Sequence, residues 1–168
     1  MGSSTGSLRK VRRMRWLFAL MLCAFASALP AHAARNSESR TMTIRLISVT
    51  TQSKMLVDRA PKNSFSTGDV IWAKSTMRNQ VAQFGRPKGS LVGTDVATFT
   101  LVSSAKGDVK LTTKLPGGAL RAAGRVGPEQ VGKIRVLGGT GVFADARGVC
   151  ESFNQGGDRV IVYRLQLP

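Results

Sequence analysis

From Thr41 to the end of the chain, apolar and polar residues alternate with a period of two, and Gly, Pro, Asn or Asp interrupts the alternation every eight to fifteen residues. Successive side chains of a β-strand point to opposite faces, so this pattern is typical of short sequential strands. The clearest example runs from Asp108 to Leu115, where apolar residues and threonine alternate with charged residues and threonine. No segment has the apolar stripe and end caps of an amphipathic helix. The sequence therefore predicts an all-β domain.

Eight strands in consecutive hairpins account for the pattern. They are expected at 41–49, 69–77, 92–102, 108–115, 119–126, 133–137, 143–153 and 159–167. Residues 52–68 and 78–90 are predicted to be long loops, the first with room for one short extra strand. A meander of eight strands can close into an antiparallel up-and-down β-barrel of the calycin type, which removes exposed strand edges. A Greek-key β-sandwich is the alternative, and it would need longer crossover connections than the chain has after residue 90.

A glycine-rich corner precedes the seventh predicted strand. Its sequence, from Gly138 to Gly148, is GGTGVFADARG. Glycines beside strand-like residues mark sharp bends and close backbone contacts. A phosphate-binding loop would need a third, correctly spaced glycine or a following Lys-Ser/Thr, and both are missing. The motif is therefore interpreted as structural, with the key positions Gly138, Gly139, Thr140, Gly141 and Gly148.

This motif resembles the signature of the allene oxide cyclase and dirigent protein superfamily, Gly-Gly-Thr-Gly-x-Phe-x-x-Ala-x-Gly. The resemblance spans residues 41–167, and short matches occur at 66–69, 89–94 and 115–118. It implies a small eight-stranded barrel that forms dimers or trimers through its outer wall. Plant cyclases of this superfamily close an unstable fatty-acid epoxide inside the barrel, whereas dirigent proteins steer the coupling of phenoxy radicals. Neither class needs a metal or a redox cofactor.

Residues 1–33 have the features of a cleaved secretory signal peptide. A basic segment at 9–15 precedes an uncharged apolar run of 14 residues at 16–29, and Ala31-His32-Ala33 offers small residues for cleavage. The run is shorter than the roughly 20 residues of a membrane-spanning helix. We expect a flexible tail at 34–40, a single barrel domain at 41–168, and a periplasmic or extracellular location. The general secretory route and, through Arg12-Arg13, the twin-arginine route both remain open.

Removing this leader changes the chemistry that is available. Five of the 25 basic residues and none of the nine acidic residues lie within it, so the mature chain would keep 20 basic residues against nine acids. It would also lose the one histidine, His32, and keep Cys150 as its one cysteine. Ser-His-Asp and Cys-His constellations and Cys/His zinc sites are then excluded. The acids show no calcium-loop spacing, so we expect no metal and no cofactor, and we expect Cys150 to be a buried, inert thiol.

Candidate ligand-binding residues follow from the barrel. Small residues at Ala122, Gly124 and Ala144 leave room either for a cavity or for large aromatic side chains in the interior. If a cavity forms, the aromatic and polar residues that would contact a ligand are Trp72, Phe99, Phe143, Arg147 and Tyr163. Arg147 matches an arginine of many dirigent proteins, but the interpretation that we favour is a solvated strand residue paired with Asp145 or Glu151. No acidic residue is expected on an inward face, which argues against a cyclase.

Three functions remain open. The first is an exported barrel that binds a small apolar or aromatic molecule, and the second is a cofactor-free isomerase, cyclase or stereochemistry-directing protein of the same fold. The third is a cationic protein with a filled barrel that binds an anionic polymer or envelope surface. Its basic residues would be those of the two long loops, which are Lys54, Arg59, Lys62, Arg78, Arg86 and Lys88. Aromatic residues are not interleaved with these charges, so specific nucleic-acid binding is not expected.

Overall fold

A computed structural model describes residues 39–62, 64–127 and 132–168. The predicted signal peptide and most of the predicted tail lie outside the described residues. The barrel belongs to a compact unit, Ser37–Pro168. Among the residues described, no helix is long and apolar enough to cross a membrane.

Eight antiparallel strands form one closed barrel in the order of the sequence. Pairing of the first strand with the last, from Arg40↔Leu167 to Ser48↔Arg159, closes it. This confirms the predicted up-and-down barrel, and the Greek-key alternative is wrong. The strands are β1 Arg40–Val57, β2 Val70–Asn79, β3 Leu91–Ser103, β4 Lys106–Leu115, β5 Gly118–Val126, β6 Gly132–Gly141, β7 Arg147–Gln155 and β8 Asp158–Leu167.

The first strand is longer than predicted, because residues 52–57 extend it and are not a loop. They pair with the start of β2, for example Lys54↔Trp72, after a register shift between Thr50 and Gln52. The register shift interrupts the period-two pattern, and the residues beyond it are exposed, so neither alternation nor apolar content identifies a strand there.

The glycine corner also lies later than predicted. β6 runs through the glycines to Gly141, which pairs with Gly118 of β5. The chain then turns at 142–145, where the amide of Phe143 donates to the carbonyl of Thr140 and that of Ala146 to the carbonyl of Phe143. β7 therefore begins at Arg147 rather than at Phe143.

Connections between consecutive strands alternate between the two ends of the barrel. We call the end with the β2–β3, β4–β5 and β6–β7 connections the closed end, because large buried side chains fill the interior beside it. They include Ile44, Leu46, Met77, Leu120, Phe143 and Leu165. The buried Asn79 amide also donates to the carbonyls of Gln83 and Arg86 and so holds the β2–β3 loop at this end. The other four connections form the open end.

Closure of the barrel brings backbones very close at Gly148. This residue has φ of +143°, and a Cβ built on it would lie 2.0 Å from the carbonyl oxygen of Arg164 on β8. Only glycine fits this position, because a side chain would have to push β7 and β8 apart.

We predict that Gly148→Ala lowers the free energy of unfolding much more than Gly138→Ala, measured by urea denaturation. Both glycines have positive φ, but a Cβ at Gly138 would meet nothing within 4 Å. Both variants therefore carry backbone strain of about 1–3 kcal/mol, and only Gly148→Ala adds a steric overlap of about 1–3 kcal/mol. Equal losses in the two variants would contradict the close contact between β7 and β8.

Candidate functional site

The open half of the barrel interior contains a cavity of about 460 Å³. This volume lies within the range of sites that bind small organic molecules. Its walls are mostly apolar, and its rim at the open end includes Phe65 and Lys106. Apolar wall residues include Ile71 of β2, Phe99 of β3, Leu111 of β4, Ile134 of β6 and Ile161 of β8.

Phe99 owes its place in the wall to a glycine on the neighbouring strand. A Cβ at Gly107 would lie 2.2 Å from Cζ of Phe99, so the ring lies directly over the Gly107 backbone. The sequence predicted Phe99 as a candidate ligand contact, and its ring is part of the cavity lining.

A buried polar cluster lies deeper in the barrel, between the cavity and the core of the closed end. Asp95, Thr113 and Tyr163 are 5%, 0% and 0% exposed. Thr113 Oγ1 lies 2.8 Å from Asp95 Oδ1, to which it donates, and 2.6 Å from the hydroxyl oxygen of Tyr163. Of the three, Asp95 lines the cavity. The other two side chains support the carboxyl group from behind.

The order of protons in this cluster follows from the number of donors. Thr113 has one hydroxyl hydrogen, so when it donates to the Asp95 carboxylate it must accept from Tyr163. If Asp95 is protonated, its own O–H can donate to Thr113, and Thr113 can then donate to Tyr163. The cluster therefore accommodates both protonation states of Asp95 without leaving a hydroxyl group unpaired.

Asp95 is the group best suited to proton transfer in the cavity. Burial raises its pKa to about 6, against the opposing effects of the hydrogen bond from Thr113 and the positive charge of Arg159. A carboxyl group of this kind is present in both forms close to neutral pH, which is the property that a general acid or base requires.

Arg159 places a positive charge in the same cavity. It lines the wall at the start of β8, and its Nε donates to Ser152 Oγ at 3.1 Å. Burial lowers the pKa of this guanidinium, while the Asp95 carboxyl group raises it. Arginine stays protonated under such conditions, so the cavity contains a fixed cation and a titratable carboxyl group.

Cys150 is a free, buried thiol that belongs to the cavity lining. Burial raises its pKa to about 12, so the reactive thiolate is scarce at neutral pH. The predicted burial is confirmed.

The other predicted ligand contacts lie outside the cavity lining. Tyr163 is buried behind Asp95, and Phe143 is fully buried in the core of the closed end. Trp72 lies on the outer wall, where Lys54 Nζ is 5.3 Å from the ring centroid. Arg147 is exposed and lines a separate recess on the outer wall. The structure thus brings Phe99 to the cavity and Tyr163 to its supporting cluster.

The expectation that no acid faces inward is wrong, because Asp95 does. The signal was present in the sequence, since Asp95 shares its strand parity with Phe99, and inward-facing residues of a strand recur at every second position. Arg159 was missed because it is the second residue of β8, and basic residues at the start of a strand usually face solvent.

The basic residues of the two long connections do not form one surface. Arg59 and Lys62 lie between β1 and β2 at the open end, whereas Arg86 and Lys88 lie between β2 and β3 at the closed end. The ten residues of β2 separate the two groups. The interior is also hollow at the open end, so a completely filled barrel does not describe this protein.

Comparison with known proteins identifies related folds. No family model matches the sequence, and no curated protein matches it. Among solved structures, a pyocyanin demethylase has a TM-score of 0.61 at 18% identity and covers 74% of this chain and 99% of its own. A pterocarpan synthase dirigent protein has a TM-score of 0.58 at 19% identity, covering 77% and 90%. The Diels Alderase AbmU from Streptomyces koyangensis has a TM-score of 0.61 at 15% identity, covering 79% and 71%.

These neighbours establish the fold, at identities too low to establish an activity. A dirigent protein is among them, so they confirm the kind of barrel that the glycine motif predicted.

Within the described residues, no three His, Cys, Asp or Glu side chains lie close enough together to hold a metal ion.

We predict that Asp95 makes the protein less stable as the pH rises from 4 to 7. Its pKa of about 6 in the folded state exceeds the ordinary value of 3.8, so the folded protein binds more protons than the unfolded chain in this range. The free energy of unfolding of the wild type, minus that of Asp95→Asn, should therefore fall by roughly 2 kcal/mol between these pH values.

Urea denaturation of both proteins at several pH values measures this difference. The side-chain amide of the Asp95→Asn variant can still accept the hydrogen bond from Thr113, and the other carboxyl groups titrate alike in both proteins, so they cancel. A difference that stays constant with pH would show that the Asp95 pKa is not raised.

Proposed function

We propose that the protein is a cofactor-free isomerase or cyclase that binds a small apolar or aromatic molecule in the cavity and uses Asp95 as its acid and base. The observation that carries the proposal is a buried carboxyl group facing a mostly apolar cavity that opens to solvent. Burying such a group is costly. A barrel that only needed to fill its interior would be more stable with an apolar residue at this position.

The proposed chemistry is a proton transfer within one substrate. Protonated Asp95 donates its proton to a substrate oxygen, and the resulting carboxylate takes a proton from a carbon or from the ring-closed product. The carboxyl group returns to its starting state, no electrons are gained or lost overall, and the atoms of the product are those of the substrate. General acid–base catalysis of this kind typically contributes about 10²–10⁴-fold.

Arg159 suggests the class of substrate. A guanidinium group in a cavity binds a carboxylate, or stabilises negative charge that develops on a carbonyl or phenolic oxygen. The rest of the lining offers Phe99 and aliphatic side chains. We therefore propose a substrate with a compact apolar or aromatic body and one oxygen-bearing polar group, oriented by Arg159 so that its reacting atoms meet Asp95.

The structural neighbours support the use of the cavity as a reaction chamber. Three of them are named as a demethylase, an intermolecular Diels-Alderase and a cyclase that catalyses a [4 + 2] cycloaddition. A dirigent-like role, in which the cavity only orients a reactive molecule, is the second candidate. The predominantly apolar cavity wall favours it, and it differs from the first in having no need of the Asp95 proton.

We also propose that the protein works outside the cytoplasm. This proposal rests on residues 1–33, which resemble a secretory signal peptide. Processing is directly testable, since the mass of the mature protein from its own host should correspond to a chain that begins at Ala34. A full-length mass in the soluble fraction would contradict export.

The barrel is proposed to form a homodimer or homotrimer through the outer wall of β1–β3. Val49 and Val96 are 45% and 38% exposed there, and apolar residues on an outer wall stabilise subunit contacts.

We predict that light scattering gives a mass of two or three subunits and that Val96→Lys lowers it to one. Val142→Lys is the control, because Val142 is 60% exposed at the closed end. A monomeric wild type at high concentration would exclude the assembly.

Two variants test the cavity and the acid separately. The first step is native mass spectrometry of the protein purified from its own host, which identifies a co-purified small molecule as substrate or product. Ala97→Phe inserts a ring into the cavity, because Ala97 lines it, and should abolish binding of the fluorescent probe 8-anilinonaphthalene-1-sulfonate. Asp95→Asn should keep probe binding and lower turnover of the identified substrate by about 10²–10⁴-fold.

The matched control is Ala123→Phe, since Ala123 has outward parity on β5 and is absent from the cavity lining. It should leave both binding and turnover unchanged. Full turnover by Asp95→Asn would reject acid–base catalysis and leave the dirigent-like role. Probe binding by Ala97→Phe equal to that of the wild type would reject the cavity itself as the binding site.

A further inference from the structure

A second concave region lies on the outer wall of the barrel and encloses about 580 Å³. We call it the arginine recess, because it is lined by Arg121 of β5, Arg135 of β6 and Arg147 at the start of β7. Its floor is formed by the glycine motif, including Gly138, Gly139 and Gly148. The motif therefore shapes an external surface as well as a corner of the chain.

Strand pairing explains why a recess forms at this point. The ladder between β6 and β7 ends at Val136↔Gly148. Beyond it, β6 continues through Gly138 and Gly139 and pairs with β5 alone. The two strands diverge, and the glycines place no side chains in the gap, which leaves space between the three long arginine side chains.

The charge in the recess is not balanced by the protein. Asp145 is the one acidic residue in its lining. Acids elsewhere on this wall already have partners, because Asp108 pairs with Arg125, and Glu151 pairs with Lys133 and Arg164. Within the described ranges, Arg121, Arg135 and Arg147 form no ion pair. Clustered cations that lack carboxylate partners repel one another, so a bound anion would stabilise them.

We propose that the arginine recess binds a phosphate group, and that a phosphorylated ligand docks on the outer wall independently of the cavity. Arginine presents a planar fork of donors that matches phosphate oxygens, and several guanidinium groups around one recess can bind the same group. The site is distinct from the cavity because neighbouring residues of one strand serve the two faces, with Arg135 facing outward and Ile134 facing the cavity.

Inorganic pyrophosphate is the probe. It is titrated by isothermal calorimetry into the protein that begins at Ala34, at about 0.15 M salt. The wild type should bind one equivalent. Arg135→Gln with Arg147→Gln should weaken binding by at least tenfold, since each substitution removes charge-assisted hydrogen bonds to the phosphate oxygens. The control is Arg86→Gln with Lys88→Gln, which removes the same charge from the exposed β2–β3 loop and should leave the affinity within about twofold.

Binding to lipid vesicles distinguishes two sources of the phosphate group, a lipid headgroup and a soluble phosphorylated molecule. Binding to phosphatidylglycerol vesicles, competed by pyrophosphate and lost in the recess variant, would identify a lipid headgroup. Recess-dependent binding of pyrophosphate without recess-dependent vesicle binding would identify a soluble phosphorylated molecule. Each result supports the proposal.

The proposal is overturned if pyrophosphate at millimolar concentration does not bind, or if the recess and control variants weaken binding equally, which would indicate general attraction to a basic protein. All four substitutions replace exposed residues, and the thermal midpoints of the variants should match that of the wild type. Because Asp95 and the cavity play no part in this experiment, its failure and a failure of the proposed catalysis are distinguishable.

Discussion

Closure of the sheet between β1 and β8 is the constraint on which the rest of the structure depends. A closed barrel of eight strands has an interior that side chains can just fill, and which part is filled is decided by the size of the inward residues. At the closed end these are Leu, Ile, Met and Phe. At the open end small residues such as Ser75, Ala97 and Gly132 share the lining with larger ones, so the same ring of strands encloses empty space. The cavity is therefore a consequence of residue size along strands of nearly constant geometry.

Much of this architecture could be predicted from the sequence. Alternation of period two, with a turn signal at each hairpin, is sufficient to count eight strands, and the glycine motif correctly implied a barrel. Predictions failed where the pattern is broken for a physical reason. A bulge hid the end of β1 after Thr50, and β6 could not be seen to continue through glycines that pair by backbone alone.

The interior chemistry was harder to predict, because burial of a polar residue depends on partners that are distant in sequence. Asp95 can face inward because Thr113, on the neighbouring strand, donates to it, and Tyr163 from the far side of the barrel supports Thr113. Trp72 shows the opposite case, since its size suggested the interior, yet its strand parity places it outside beneath Lys54. Parity relative to a known inward residue was the better guide than residue type.

The low identity to other barrels of this fold follows from the same division between wall and interior. Backbone hydrogen bonds hold a closed meander together, so its strands tolerate many sequences as long as inward positions stay compatible with the available volume. The reaction that we propose for the interior depends on two inward polar groups, Asp95 and Arg159. Two barrels can share every strand and differ in chemistry through two residues. The function that we propose for this protein therefore rests on those two residues and not on the fold.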